Sequence, residues 1–337
     1  MTLRDTARGA VFRIRRVGRT AGRVAATEVD RIRYARGGAD VAIFHEFSPP
    51  PYGGGNQFLL ALTGELERQG LEIEVNRISG ATPACLLNSF NFDFRRLRRF
   101  DRPGCRFVHR VDGPIGVYRG FDDGTDSRIA AINSELAAAT IVQSRFSLDA
   151  HRRIGIELRD PVVVHNTVDP GLFYPPQRWE PLSGRKVRII ATSWSDNPLK
   201  GGETLEWLDR SLDGSRFELT LLGRFPGSFE RARVLPPVPS AEVASELRRH
   251  DLYIAASRND PCSNALLEAL ACGLPVAYLD SGGHPELVGA AGRAFTDRDE
   301  LPDVLGKLAE EIEERRAAIR VPSLADVAAR YLEVLRA

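Results

Sequence analysis

Lysine is almost missing from this 337-residue chain: Lys186, Lys200 and Lys307 stand against 43 arginines. A lysine in a suggestive place therefore carries weight. Cysteine is sparse too. Cys85, Cys105, Cys262 and Cys272 form no C-x-x-C pair and follow no signal peptide with an apolar core, so a reducing cytoplasm is the expected setting. Small, mostly buried hydrophobes is their ordinary role. No uninterrupted apolar run approaches the roughly 18 residues of a membrane span, and a soluble protein is expected. His45, His151, His165 and His250 lack metal-ligand spacing, so no metal site is expected. No G-x-G-x-x-G turn follows a first strand with an acidic residue about 20 positions later, which counts against a dinucleotide oxidoreductase.

What is present is a globular composition, 43% hydrophobic and 27% charged, with length for two domains that each bury a core. The formal charge of +1 hides an uneven distribution. Residues 1–36 carry ten arginines against Asp5, Glu28 and Asp30, a net +7 that leaves the remainder near −6. This basic arm alternates Arg with Val, Ile, Ala and Gly, a pattern suited to peripheral contact with an anionic membrane at its inner face and equally to solvated surface. Nucleic acid is not expected as a partner, because no recognition module or aromatic platform accompanies the charge.

Along the chain, residues 41–47 (VAIFHEF) read as a buried strand, followed by the loop SPPPYGGG, a helix over 56–69 and a strand over 71–75. Further strands are predicted at 84–88, 106–111, 139–143 and 161–165, with a helix near 126–138. The first unit, 37–175, closes at Phe173, Tyr174, Pro175 and Pro176. The alternation then restarts: a strand at 186–191, a helix at 201–211, and strands at 217–222, 252–256 and 275–279. The fold class is therefore α/β, with two Rossmann-like domains facing across a cleft between the carboxyl ends of their sheets. The second domain is expected to cover 176–320. A last helix within 321–337 packs back on the first.

One stretch concentrates the chemistry. Asp260, Pro261, Cys262, Ser263 and Asn264 lead into Ala265, Leu266, Leu267 and Glu268, with Gly273 as the helix stop. The free N–H groups and dipole of that helix start suit an anion such as a diphosphate. Glu268 lies more than a turn inside, placed to accept hydrogen bonds from paired ribose hydroxyls, and Asp260 stands ready for a sugar. A solvated loop aspartate and a helix-surface glutamate are the plainer reading of the same spacing. Residues 281–286 (SGGHPE) repeat a strand end, two glycines and a helix start, a second candidate cradle. Lys200, in NPLKGG after the first strand of the second unit, places one of three lysines at a helix start, where a cation would neutralise departing diphosphate.

The run DPCSNALLEALACGLPV…SGGHPE resembles the signature of glycosyltransferase family 4: an acidic residue, seven others, Glu-Ala, then Gly-x-Pro-Val and a later Gly-Gly-x-x-Glu. Residues 165–175 resemble the family's segment at the domain junction, and PPPYGGGNQ its N-terminal Gly-Gly loop. The likeness spans most of residues 41–335. It implies a GT-B fold and a retaining glycosyltransferase that moves a hexose from a nucleotide diphosphate sugar to a glycan or lipid-linked acceptor, in cell-surface polysaccharide assembly, with no obligatory cofactor or metal. By the same resemblance Glu268 binds the ribose, Asp260 the donor sugar, Lys200 the diphosphate, and Gly54 and Gly55 the phosphates from across the cleft. Ser263, Asn264, Ala265, Leu266 and Leu267 contribute the helix start, and Glu286 falls on the family's final Glu.

Three positions depart from the pattern. Asp260 stands where Glu is usual. The second phosphate-binding cation falls on Trp194 or Ser195, so Arg224, Arg258 or Arg145 would have to substitute. The histidine that many members place beside the reacting sugar aligns with Asp112 in FVHRVDGP, with His109 as the alternative inside the strand. Asp112 is favoured, to orient the donor sugar and stabilise positive charge at the anomeric carbon. His109, Arg110 and Arg119 are acceptor-side candidates, the two arginines facing a phosphorylated or lipid-diphosphate acceptor. A catalytically silent sugar-nucleotide-binding protein is the competing class.

Overall fold

The computed structural model describes residues 37–48, 54–90, 92–93, 97, 104–195 and 197–337. The basic arm 1–36 and residues 49–53 of the Gly-rich loop lie outside the described residues.

The first sheet contains β1 (Val41–Phe44), β2 (Ile73–Val75), β3 (Ala84–Asn88), β4 (Arg106–Val111), β5 (Ala139–Val142) and β6 (Pro161–Val163), in the spatial order β2-β1-β3-β4-β5-β6. Its helices are α1 (Gly54–Arg68), α2 (Ile115–Arg119), α3 (Thr125–Leu136) and α4 (Arg145–Arg153). The second sheet contains β7 (Val187–Ser193), β8 (Phe217–Gly223), β9 (Arg233–Leu235), β10 (Leu252–Ala255), β11 (Val276–Leu279) and β12 (Gly292–Phe295), ordered β12-β11-β10-β7-β8-β9. With it go α5 (Gly202–Ser211), α6 (Ser240–Leu247), α7 (Asn264–Ala271), α8 (His284–Val288), α9 (Leu301–Glu310) and α10 (Ile312–Ala317), and the chain ends in α11 (Leu324–Arg336).

Every strand pairing is parallel, as between Val108 and Ala139 or Ile190 and Thr220. Parallel sheets are covered on both faces, which explains why β1 and β11 are unbroken apolar runs and β3 is apolar up to Asn88. The expected strand over 41–47 ends at Phe44, and the one over 71–75 starts at Ile73. The sequence reading assigned no strand at β9 or β12. Both are short edge strands containing Arg or Gly, and so carry no apolar run.

Val168 and Phe173 already pack in the core of the second sheet, so the chain crosses between units before Pro175. It returns near Pro322, whose carbonyl accepts the Thr167 hydroxyl at 2.6 Å, tying the two crossings together. Helix α11 then places Val327, Ala328, Tyr331, Val334 and Leu335 in the core of the first sheet. No helix among the described residues is long and apolar enough to cross a membrane.

Candidate active site

A cleft of about 470 Å³ lies between the carboxyl ends of the two sheets, within the range of small-molecule sites. Gly54, Gly55, Asp112, Gly113, Tyr118 and Arg119 line it from the first unit. From the second come Lys200, Arg224, Asp260, Ser263, Asn264, Ala265 and Glu268.

Helix α7 is built as its sequence suggests. Ser263 Oγ accepts the Leu266 N–H, and Gly273, at φ +85°, terminates the helix in the left-handed conformation. The Leu267 N–H is also taken, by the Ser263 carbonyl, and the Leu266 and Leu267 side chains are buried in the core. The expectation at Leu266 and Leu267 is corrected: neither lines the cleft, whereas Asn264 and Ala265 do, and their N–H groups have no partner among the described residues.

One turn on, the Glu268 carboxyl lines the cleft with no hydrogen bond or ion pair among the described residues. Burial alone pushes its pKa up to about 8. Lys200 and Asp260, 60 residues apart in sequence, meet as an ion pair at 2.7 Å. Burial pulls the Lys200 ammonium down, but Asp260 and Tyr118 outweigh it and hold it above the ordinary lysine value. Burial pushes Asp260 upward, Lys200 overcomes that, and the carboxyl ends below its usual range. Lys200 Nζ also sits 4.9 Å from the centre of the Tyr118 ring, a cation–π contact that crosses the cleft. Tyr118 was not singled out from the sequence, because nothing in the local pattern brings α2 to Lys200.

Residues 281–286 serve a different purpose from the expected cradle. A Cβ on Gly282, at φ +67°, would fall 2.3 Å from the Asp260 carbonyl, and the Gly283 N–H donates to that carbonyl at 2.8 Å. The Gly-Gly turn thus seats the Asp260 loop. Glu286, expected at the donor, lies outside the cleft lining. Its carboxylate crosses to the first unit and accepts the N–H groups of Arg145 (2.9 Å) and Phe146 (2.8 Å) at the start of α4, with His165 Nε2 at 3.3 Å. Burial works to raise its pKa, and His165 and the two backbone donors bring it below the ordinary value.

On the opposite wall Asp112 projects into the cleft with its side chain 29% exposed, and its Oδ1 accepts from Arg110 at 2.9 Å. His109 and Arg110 are corrected: both are fully buried and neither lines the cleft. His109 Nε2 faces the Ser89 carbonyl at 2.8 Å, and burial drives its pKa down to about 4, which makes it a neutral core histidine. Arg110 is spent on internal hydrogen bonds. Arg119 is exposed at the cleft rim. Of the three substitutes for the second cation, Arg224 alone lines the cleft, at the end of β8.

Residues 213–313 match the family described as glycosyl transferases group 1. No curated protein matches the chain. Among solved structures, sucrose-phosphate synthase from Thermosynechococcus elongatus is similar at 16% identity and TM-score 0.60, over 86% of this chain and 80% of that one. HepE from Anabaena in complex with UDP-glucose aligns at 16% identity and TM-score 0.59, over 88% and 95%. The catalytic domain of starch synthase IV from Arabidopsis thaliana bound to ADP and acarbose aligns at 11% identity and TM-score 0.66, over 88% and 98%. At such identities the likeness is one of fold. The chain has the GT-B architecture of two Rossmann-like domains.

Proposed function

We propose that this protein is a retaining glycosyltransferase that moves a hexose from a nucleotide diphosphate sugar to a glycan or lipid-linked acceptor in cell-surface polysaccharide assembly. One observation carries the reading: a single cleft holds the unpartnered Glu268 carboxyl, the free N–H groups that open α7, and the Lys200–Asp260 pair. Glu268 accepts the ribose hydroxyls. The Asn264 and Ala265 N–H groups and Lys200 take the diphosphate, with Arg224 as second cation and Gly54 and Gly55 leaving room for phosphate from the other wall. Asp260 holds the donor sugar. The match over 213–313 supports the donor side, as does the binding of UDP-glucose and ADP by proteins of the same fold.

In the reaction, positive charge develops at the anomeric carbon as the bond to diphosphate breaks. Asp112, facing the cleft across from α7, orients the sugar and stabilises that charge, while Lys200 stabilises the departing diphosphate. The leaving phosphate oxygen takes the acceptor proton. These fixed charges need no metal. Arg119 at the rim faces the acceptor. The protein works in the cytoplasm, with residues 1–36 touching the anionic inner face of the membrane.

Incubation with UDP-, GDP-, ADP- and dTDP-hexoses tests the reading. Hydrolysis of at least one donor, slowed about 100-fold in Asp112→Asn, is expected. Binding without any hydrolysis would instead support a silent sugar-nucleotide-binding protein, and a thermal shift with NAD(P) alone would sink both. Deleting residues 1–36 is expected to weaken binding to anionic vesicles and to leave donor hydrolysis intact.

A further inference from the structure

Arg110 on β4 is completely buried, and its guanidinium is engaged on every side. Its Nε–H donates to Tyr331 Oη at 3.1 Å, Nη1 donates to Asn88 Oδ1 at 2.7 Å and to Asp112 Oδ1 at 2.9 Å, and Nη2 donates to Asn166 Oδ1 at 2.9 Å. The Phe58 ring covers it at 4.9 Å. A buried charge is costly, and a packed apolar residue at the same place is often neutral or better for stability. Strand β4 carries such residues at Phe107, Val108 and Val111. The charge therefore needs a reason other than packing.

Its one ionic partner among the described residues, Asp112, supplies that reason. Asp112 directly follows the last residue of β4, and its Oδ1 meets the Arg110 guanidinium at 2.9 Å. With Oδ1 fixed by the guanidinium, Asp112 Oδ2 has no partner among the described residues and stands at the cleft. The other prong of the fork holds Asn166, whose Nδ2 donates to Asn264 Oδ1 at 3.0 Å, at the first residue of α7. One rigid guanidinium thus references the Asp112 wall and the donor helix to each other.

We propose that Arg110 is the positioning residue of the reaction, aiming Asp112 Oδ2 at the donor sugar. The proposal rests on the donor reading above for the identity of that sugar. The probe is whichever of UDP-, GDP-, ADP- and dTDP-glucose the wild-type protein hydrolyses fastest. Arg110→Met lowers kcat about 100-fold with donor KM nearly unchanged, the loss expected when a reacting group shifts by an ångström. Asp112→Asn lowers kcat by a similar factor, and the double variant is no slower than Asp112→Asn alone. Arg110→Lys, which keeps a cation near Asp112, recovers about tenfold over Arg110→Met. Losses that multiply in the double variant, or a KM that rises as kcat falls, overturn the proposal.

A second arm needs no turnover. In crystals of Arg110→Met with UDP the Asp112 carboxylate leaves its wild-type rotamer, and in Arg110→Lys it keeps it. An unmoved Asp112 in Arg110→Met overturns the positioning role. A wild-type protein that hydrolyses no donor overturns the donor reading instead, and the crystal arm still decides the role of Arg110.

Discussion

Lys200 Nζ lies 2.7 Å from Asp260 Oδ2, with Asp260 only 4% exposed. The two groups expected to hold opposite ends of a donor thus hold each other. Removing one member leaves the other charge buried alone. Lys200→Met is expected to cost about 3 kcal/mol in urea unfolding, and Lys200→Met/Asp260→Leu to recover much of it. A double variant no more stable than Lys200→Met would show that the pair is not coupled.

The pKa of Glu268 in the folded protein, about 8, lies above the 4.5 of an ordinary glutamate. Between those values the folded state keeps a proton that the unfolded state releases, so this group's contribution to stability falls as pH rises. Glu268→Gln should be more stable than wild type near pH 9 by on the order of 5 kcal/mol, and equal to it below about pH 4.

Ribose hydroxyls donating to that carboxyl favour its ionised form, so UDP binding at neutral pH is expected to release protons. Calorimetry in buffers of different ionisation enthalpy measures the release. Zero proton release together with unaltered UDP affinity in Glu268→Gln would remove Glu268 from the ribose.

Glu286 fastens the second unit to the start of α4. Glu286→Ala should lower interdomain stability by roughly 1 kcal/mol, the worth of a carboxylate at a helix N-terminus. Because its pKa is depressed, the contribution is present above 4.5 and fades as pH falls through the folded value. Small-angle scattering should report a larger radius of gyration for Glu286→Ala at neutral pH, and for wild type only in acid. Identical profiles at both pH values would count against the fastening.

Gly113 follows Asp112 and touches the other lobe. A Cβ there would sit 2.7 Å from Pro261 Cβ. Gly113→Ala must push the cleft walls apart, at about 1–3 kcal/mol. Donor turnover should fall well over tenfold, in line with the sensitivity of reactions to ångström displacements, while UDP affinity changes little. Unchanged turnover would mean that the walls need not approach this closely.

The strands β1 and β3 and the start of α7 were legible because their signals are local: apolar runs of four residues, a Ser263 cap, a Gly273 stop. The edge strands β9 and β12 were not, since three or four residues at a sheet margin need little apolar surface. Arg110 and His109 illustrate a subtler limit. In a strand covered on both faces, alternation cannot tell cleft from core, so both read as candidates and both proved buried.

The sequence by itself determined two α/β units and a capped helix start at Ser263, because periodicity and capping act over a few neighbouring residues. Only the tertiary structure decided what those residues touch. It paired Lys200 with Asp260, took Glu286 out of the cleft to bind α4, and buried Arg110 beneath Asp112. Each of these joins groups that lie on different elements or in different units, or turns on which face of a strand the fold covers. Such relations are set by how whole sheets pack, and no local pattern encodes them.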